Sequence, residues 1–236
     1  MKTSRRSIEK IVEDQILQWN RIHAEKKEVP KGVNVITISR ESGSGGTLMA
    51  AKLARDLEFD LFHREVIQEM AESANISARI VETLDEKGLS VLEDSIAAMI
   101  RDRHLWPDEF MRHLLKVVGT LGKHGRAVIV GRGAQYILPF DQTLKVRVIA
   151  PLALRIYNVA HELDIEEGEA EKMILKTDAD RRSFSRKYFY ADVSEPLQYD
   201  LIINTARVSV DAGVEVVKSA LRQMNGREKI DDQRVR

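Results

Sequence analysis

A glycine-rich stretch between a β-branched run and a helical pattern carries the most direct chemical signal in the sequence. Residues 43–47 read Gly-Ser-Gly-Gly-Thr, after an apolar run at 33–38 and before apolar residues at helical spacing from Leu48. Glycines let backbone N–H groups turn inward, and a helix N-terminus adds partial positive charge, so such a loop holds phosphate groups. The pattern predicts a phosphate-binding loop formed by Gly43, Ser44, Gly45, Gly46 and Thr47; a plain glycine turn of an α/β domain is the alternative.

The stretch departs from the phosphate-loop pattern G-x-x-x-x-G-K-[ST] at two positions. Arg40 stands where the pattern begins with glycine, and Gly46 stands where the pattern has lysine. Thr47 keeps the hydroxyl that normally binds Mg²⁺. Because the lysine that reaches the outer phosphates is missing, an active enzyme needs another cation, and Arg40 is one candidate.

Composition favours an ordinary globular protein with no bulk attraction to polyanions. Of the 236 residues, 43% are hydrophobic and 31% are charged, and the formal net charge is zero. These values give no reason to expect nucleic acid or an anionic membrane as a partner. Cysteine is absent, which excludes disulfides and thiol chemistry. No apolar run approaches membrane-spanning length and no apolar core follows the basic first residues, so a cytoplasmic location is expected.

Strand and helix patterns alternate along most of the chain. A helix is predicted over 8–28, and a long helical stretch lies at 63–125 between two strands. Strands are predicted at 33–39, 59–63, 127–130, 143–150 and 201–204, with further helices over 151–163, 166–177 and 208–224. This alternation argues for a parallel sheet covered on both faces, in which ligands bind at the carboxyl ends of the strands.

Arginines follow two of these elements. Arg132 lies between Gly131 and Gly133 directly after the 127–130 strand, and a run dense in arginine occupies 181–186. The planar arginine fork suits phosphate oxygens, so these residues are candidates for binding a phosphorylated ligand. A solvated helix face would explain the 181–186 run equally well.

Taken together, these motifs resemble the cytidylate kinase-like family of the P-loop nucleoside monophosphate kinases, whose loop carries G-S-G-G in place of G-S-G-K. The resemblance covers about residues 33–222 and rests on four pieces in the family's order: 38–46, 128–133, 177–181 and 199–205.

The resemblance implies a three-layer α/β/α P-loop kinase with a five-stranded parallel sheet. In that interpretation residues 31–225 form the kinase domain, with a helical acceptor-binding insertion at 63–125 and a lid at 177–195. Residues 1–30 would be a helical extension and residues 226–236 a charged tail. The implied reaction is transfer of the γ-phosphoryl group of ATP, with Mg²⁺, to CMP, dCMP or a related monophosphate.

The resemblance also assigns roles to individual residues. The backbone of 43–47 would hold the donor phosphates, and the Thr47 hydroxyl would be the Mg²⁺ ligand. Arg132 matches the arginine that holds the acceptor phosphate. Arg181, Arg182 and Arg186 match lid arginines. Together with Arg40 these four arginines are the predicted catalytic residues.

Two departures from the family leave the activity open. Gly133 replaces an aspartate that contacts the acceptor nucleotide, and no acidic residue ends the 127–130 strand to help hold Mg²⁺. Three hypotheses follow: a nucleoside monophosphate kinase, a kinase of the same fold with another small acceptor, or a nucleotide-binding regulatory protein with little turnover. The N-terminal helix could pack on its own chain or form a homodimer.

Overall fold

The computed structural model describes residues 5–24 and 32–234. The chain divides into two compact units. The sheet unit comprises Gly32–Leu61 and the described residues from Arg126 onward. The helical unit comprises Phe62–Gly125 and the described residues before Gly32. In the described parts of the chain, no helix is both long enough and apolar enough to cross a membrane.

Five parallel strands form one sheet in the described residues, in the order β2-β3-β1-β4-β5. The central strand β1 lies between β3 and β4, so the chain forms one side of the sheet with β2 and β3 and then crosses to the other side with β4 and β5. In open α/β sheets such a change of direction creates a crevice at the carboxyl ends of the strands. The predicted strands are confirmed, with these bounds: β1 Val35–Arg40, β2 Asp60–Phe62, β3 Ala127–Val130, β4 Thr143–Ile149 and β5 Leu201–Asn204.

Helices connect the strands and also make up the helical unit. Their bounds are α1 Arg5–Ala24, α2 Gly46–Leu57, α3 Arg64–Glu72, α4 Ala74–Val81, α5 Glu86–Asp102, α6 Glu109–His124, α7 Ala134–Ile137, α8 Leu152–Leu163, α9 Glu167–Phe189 and α10 Val210–Arg234. Short 3₁₀ turns occupy Phe140–Gln142 and Pro196–Gln198.

The two faces of the sheet differ in character because side chains alternate along each strand. One face is apolar and forms the main core with α2 and α10, through residues such as Ile38, Leu53 and Val217. On β1 and β4 the opposite face carries buried polar side chains, among them Thr37, Ser39, Lys145 and Arg147. Ser39 lies beside Arg147 in the strand register, so this polar face reaches the carboxyl end of β1.

The helical unit packs around α6, which has the regular apolar stripe expected of a buried amphipathic helix. Trp19 of α1 is buried in this unit and stacks on His124, with ring centroids 4.1 Å apart. The described part of the N-terminal helix thus packs on its own chain, which was one of the two predicted arrangements. The rest of the predicted 8–28 helix, from residue 25 onward, lies outside the described residues.

Side-chain caps set where the helices of this unit begin. Ser73 caps α4 by accepting from the backbone N–H of Ile76. Asp85 caps α5 by accepting from the backbone N–H of Gly88, so this helix begins at Glu86. At α6 the cap is Asp108, so Pro107 precedes the helix.

Two helices are longer than predicted. The 166–177 helix and the arginine run are one continuous helix, α9, which extends to Phe189. The last helix begins at Val210 rather than 208 and runs to Arg234, past the predicted end at 224. The arginines at 181–186 are therefore held on a regular helix rather than on a loop.

Candidate functional site

The glycine-rich loop connects β1 to α2, and two of its glycines adopt the left-handed conformation that other residues rarely do. The φ angles of Gly43 and Gly45 are 77° and 78°. A Cβ built at Gly43 would lie 2.6 Å from the carbonyl oxygen of Arg155, and one at Gly45 would lie 2.9 Å from Cγ2 of Val210. Both positions therefore require glycine on grounds of conformation and of space.

The carbonyl groups of this loop are turned toward side chains that surround it. Four of them accept hydrogen bonds, as follows: Arg40 from Arg181 at 2.9 Å, Ser42 from Arg155 at 3.2 Å, Gly43 from Asn158 at 2.8 Å and Ser44 from Thr205 at 2.9 Å. Buried polar backbone groups need partners, and these donors supply them. Gly45 caps α2 without any side-chain hydrogen bond. The carbonyl groups are therefore bonded to the protein, and no side chain caps the N-terminus of α2.

The hydroxyl of Ser44 helps to fix the shape of the loop and does not face an exposed site. Its Oγ is within hydrogen-bond distance of the carbonyl oxygens of Glu41, at 2.9 Å, and Val148, at 3.2 Å. The residue is only 1% exposed. The backbone N–H of Ser44 also donates to the Glu41 carbonyl, at 3.3 Å, so both the hydroxyl and the N–H of this residue are bonded within the protein.

Arg40 and Gly46 share one space at the end of β1. A Cβ at Gly46 would lie 2.6 Å from the Cβ of Arg40, and a Cβ at Gly131 would lie 2.6 Å from Nη1 of Arg40. The Arg40 side chain thus passes over Gly46 and brings its guanidinium to the turn after β3. The stem of a cationic side chain therefore lies against Gly46, where the pattern's lysine would start, and its charged end lies beside Gly131.

A buried ion pair between Asp178 and Arg155 lies against the loop and helps to hold its backbone. Asp178 of α9 accepts from Nη1 of Arg155 at 2.6 Å and from the backbone N–H of Ser42 at 3.0 Å. Asp178 and Arg155 are each less than a tenth exposed. Burying charges is costly unless they are paired and hydrogen-bonded, and this geometry meets both conditions.

Glu41 places a carboxylate inside the loop, where it faces arginines. Its Oε2 lies 3.5 Å from Nε of Arg155, and its Oε1 lies 3.9 Å from Nη2 of Arg147. Glu41 also accepts from the backbone N–H of Ala150 at 3.1 Å. These contacts compensate its negative charge, which would otherwise oppose the binding of an anion.

The three predicted arginines of α9 have different surroundings. Arg181 reaches the loop through its bond to the Arg40 carbonyl, and its Nη1 lies 3.6 Å from Oδ1 of Asp178. Arg182 is exposed and lies about 100° around the helix from Arg181. Arg186 is also exposed. Asp192 has a lowered pKa, first because of hydrogen bonds from Ser194 and further because of the charge of Arg186.

Arg132 follows β3 in an unusual backbone conformation. Its φ is 51°, between Gly131 at 79° and Gly133 at 71°. Non-glycine residues held in this region are strained and cluster at functional sites. The guanidinium carbon of Arg132 lies over the ring of Phe184 of α9, 5.1 Å from its centroid.

Gly133 has a steric reason for lacking the family's aspartate. A Cβ at this position would lie 2.1 Å from Cε2 of Phe189, which is 1% exposed. The Phe189 ring fills the space that a side chain at 133 would need. The acceptor-contacting carboxylate of the family motif therefore has no room here.

A buried phenol lies beside the polar face of the sheet. Burial, together with the electrostatic effect of the nearby Tyr199, raises the pKa of Tyr136 to about 12. The Tyr199 hydroxyl lies 3.2 Å from Oγ of Ser39, which accepts from Nη1 of Arg147 at 2.9 Å. Tyr136 keeps its proton at neutral pH and is unsuited to act as a base.

The site offers few protein ligands for a metal ion. Thr47 is exposed on the first turn of α2. Among the described residues, no group of three or more His, Asp or Glu side chains is arranged to hold a metal. Mg²⁺ commonly keeps several waters and binds through substrate phosphates with one or two protein ligands. Thr47 as a single hydroxyl ligand therefore fits an ion that arrives with a nucleotide.

The residues that support the loop are not among the predicted site residues. Arg155 lies on an apolar stripe of α8 with Ile156 and Val159, and Arg147 lies on a buried strand. A charged residue at a position that the periodicity assigns to the core was the available signal. Phe184 gave no signal, because an aromatic residue in a helix is most often core.

The fold defines a class: an α/β protein with a five-stranded parallel sheet and a glycine-rich loop at the carboxyl end of its central strand. The model of the cytidylate kinase-like family matches residues 35–207, and the chain belongs to that family. Family and loop together support a P-loop kinase with a small nucleotide substrate.

Individual proteins similar to this chain agree with that assignment. The cytidylate kinases of Pyrococcus horikoshii and Thermococcus kodakarensis are each 27% identical to it. Each alignment covers 84% of this chain, with 93% of the first relative and 92% of the second. A crystal structure of an uncharacterized protein from Eubacterium ventriosum has the same fold, with a TM-score of 0.60 and 21% identity over 80% of this chain and 98% of that chain.

Proposed function

We propose that this protein transfers the γ-phosphoryl group of ATP to a nucleoside monophosphate, with CMP or dCMP as the first candidates. The family assignment and the cytidylate kinase relatives support this activity. The observation that carries the proposal is the loop at 41–45, whose carbonyls are held by surrounding side chains while α2 begins without a side-chain cap.

The donor phosphates would bind the backbone of 43–47 and the N-terminus of α2. The dipole of α2 and the backbone N–H groups at its N-terminus favour the binding of polyphosphate there. The Thr47 hydroxyl would be the protein ligand of Mg²⁺, which neutralises charge on the phosphate oxygens when it is bound. ATP and Mg²⁺ are thus the expected cosubstrate and cofactor.

Arg40 would supply the charge that the pattern's lysine normally supplies. Its side chain lies over Gly46 and extends toward Gly131, beside the loop. Arg181 contacts the same strand end and would add a second positive charge near the transferring group. Phosphoryl transfer depends mostly on positioning and on stabilising charge, which two guanidinium groups suit.

Arg132 would hold the acceptor phosphate. A phosphate oxygen of the acceptor would attack the γ-phosphorus of ATP, while the bond between that phosphorus and the β–γ bridging oxygen breaks. The products are ADP and a nucleoside diphosphate. Arg182 and Arg186 are assigned to the predicted lid over 177–195, and their exposed side chains would extend over the transferring group and exclude water as a competing acceptor. A homodimer through the N-terminal helix and a cytoplasmic location remain predictions.

A kinase for another small acceptor is the second candidate, and one observation favours it. Gly133 cannot carry a carboxylate while Phe189 fills the adjacent space. Without that contact the base of CMP is recognised by other groups, or a different molecule is the acceptor. The third hypothesis, a regulatory nucleotide-binding protein, would require ATP binding with no turnover of any acceptor.

A coupled ADP-release assay tests the proposal. It is run with ATP, Mg²⁺ and each of CMP, dCMP, UMP, AMP and GMP, for the wild type and for Arg132→Ala, while ATP binding is measured separately by calorimetry. Turnover with CMP or dCMP that is strongly reduced in the variant, through a raised KM for the acceptor, supports the proposal. ATP binding without turnover of any monophosphate contradicts it and favours another acceptor or a regulatory role.

A further inference from the structure

Phe184 contacts the predicted acceptor arginine from a different element. Arg132 lies at the carboxyl end of β3, and Phe184 lies on α9, with the guanidinium carbon 5.1 Å from the ring centroid. At this distance the positive charge is attracted by the negative face of the aromatic ring. The contact therefore connects the acceptor side of the site to α9.

The ring itself is held in place by other aromatic residues. The centroid of Phe184 lies 4.9 Å from that of Tyr188 and 6.1 Å from that of Phe189. Phe189 is buried against Gly133 and also contacts Tyr136, with centroids 5.0 Å apart. Because Phe189 packs in the core, the surface that Phe184 presents to Arg132 is fixed by packing.

A guanidinium group can stack on a ring and form hydrogen bonds at the same time, because the two interactions use different parts of the group. Stacking uses the face of the planar group, whereas hydrogen bonds to phosphate use its edge. The Phe184 ring lies against one face and does not itself use the N–H donors at the edge. It also restricts the side-chain rotamers of Arg132, which lowers the entropy lost when a phosphate binds.

We infer that Phe184 is a positioning residue that orients Arg132 for the phosphate of the acceptor. The inference rests on the proposed function, because it takes Arg132 as the acceptor ligand. Phe184 acts through Arg132 and makes no contribution of its own to binding ATP. Its removal should therefore change recognition of the acceptor and leave recognition of the donor unchanged.

The test compares Phe184→Leu, which keeps an apolar side chain but removes the ring, with Phe184→Tyr, which keeps the ring. Steady-state kinetics with the preferred monophosphate should show KM for the acceptor raised about three- to tenfold in Phe184→Leu and nearly unchanged in Phe184→Tyr. The KM for ATP should stay the same in both. Tyr157→Leu, which removes an exposed ring on α8 that contacts His161 rather than Phe184, is the matched control and should leave both KM values unchanged.

A double-mutant cycle separates positioning from general packing. In an Arg132→Ala background, Phe184→Leu should have no further effect on KM for the acceptor, because the group it orients is gone. Equal effects of Phe184→Leu with and without Arg132 would overturn the inference, and so would equal increases in KM for both substrates. If Phe184→Leu does not fold, Phe184→Trp replaces it. Because tryptophan keeps an aromatic ring, the acceptor KM should stay normal, and a raised acceptor KM in the folded Trp variant overturns the inference.

The same data distinguish failure of the inference from failure of the proposed function. An Arg132→Ala variant with a normal acceptor KM contradicts the role of Arg132 itself. A raised KM in Arg132→Ala together with a normal KM in Phe184→Leu leaves the proposed function intact and removes only the role of Phe184.

Discussion

Arg40 and Gly46 occupy complementary space: the Cβ of Arg40 lies 2.6 Å from the position that a Cβ of residue 46 would take. The phosphate-loop pattern has the reverse arrangement, with glycine first and lysine seventh. A long cationic side chain at one of these positions therefore requires glycine at the other. We interpret the two departures from the pattern as one exchange, in which the cation starts from the end of β1 instead of from α2.

Arg40→Ala should lower kcat about 100- to 1000-fold, comparable to the loss of one group that stabilises developing charge in a transition state. Gly46→Lys alone should be poorly folded because its Cβ has no room beside Arg40. The double variant Arg40→Gly/Gly46→Lys restores the pattern and should regain stability and part of the activity. Thermal unfolding and the ADP-release assay measure both quantities. Full activity in Arg40→Ala would exclude this role.

Gly133→Ala should lower the free energy of unfolding by about 2–4 kcal/mol, because the new methyl group overlaps the Phe189 ring and the backbone keeps a positive φ. Gly168→Ala is the matched control. Gly168 lies in the first turn of α9 with no atom within 4 Å of a built Cβ, so alanine there should stabilise by about 0.5–1 kcal/mol. Urea unfolding of both variants gives the comparison; similar stabilities would contradict the packing described at Gly133.

Asp178→Ala should destabilise the protein by about 3 kcal/mol, because it leaves the buried Arg155 without its shortest ion pair. It should also raise KM for ATP, since the Ser42 N–H loses the acceptor that holds the loop. Asp180→Ala, an exposed position on the same helix, should change neither quantity. A stable Asp178→Ala with unchanged KM for ATP would show that the loop keeps its shape without this pair.

Thr47→Val should raise the Mg²⁺ concentration needed for half-maximal activity, because it removes the proposed hydroxyl ligand and keeps the shape of the side chain. Thr47→Ser keeps the hydroxyl and should behave like the wild type. Since Thr47 is exposed, stability should differ little between the two variants. Identical Mg²⁺ titrations for Thr47→Val and Thr47→Ser would remove Thr47 from the metal site.

Local sequence patterns were sufficient for the sheet and for the position of the glycine-rich loop between β1 and α2. The apolar run of β3 and the glycines at 43–46 reflect local requirements, namely burial and backbone conformation. The supporting charges could not be predicted in the same way. Arg155 and Asp178 are 23 residues apart, and their pairing depends on how α8 and α9 pack. The exclusion of a side chain at Gly133 depends on a ring 56 residues later (189 − 133).

The continuity of α9 sets a fixed axial separation between two parts of the site. Asp178, which holds the phosphate loop, and Phe184, which contacts Arg132, are six residues apart on one uninterrupted helix. At a rise of 1.5 Å per residue, their positions are about 9 Å apart along the axis. One inserted residue between them would turn Phe184 by about 100° and move it off Arg132. The length of the helical segment 178–184 therefore determines the distance between the contact with the glycine-rich loop and the contact with Arg132.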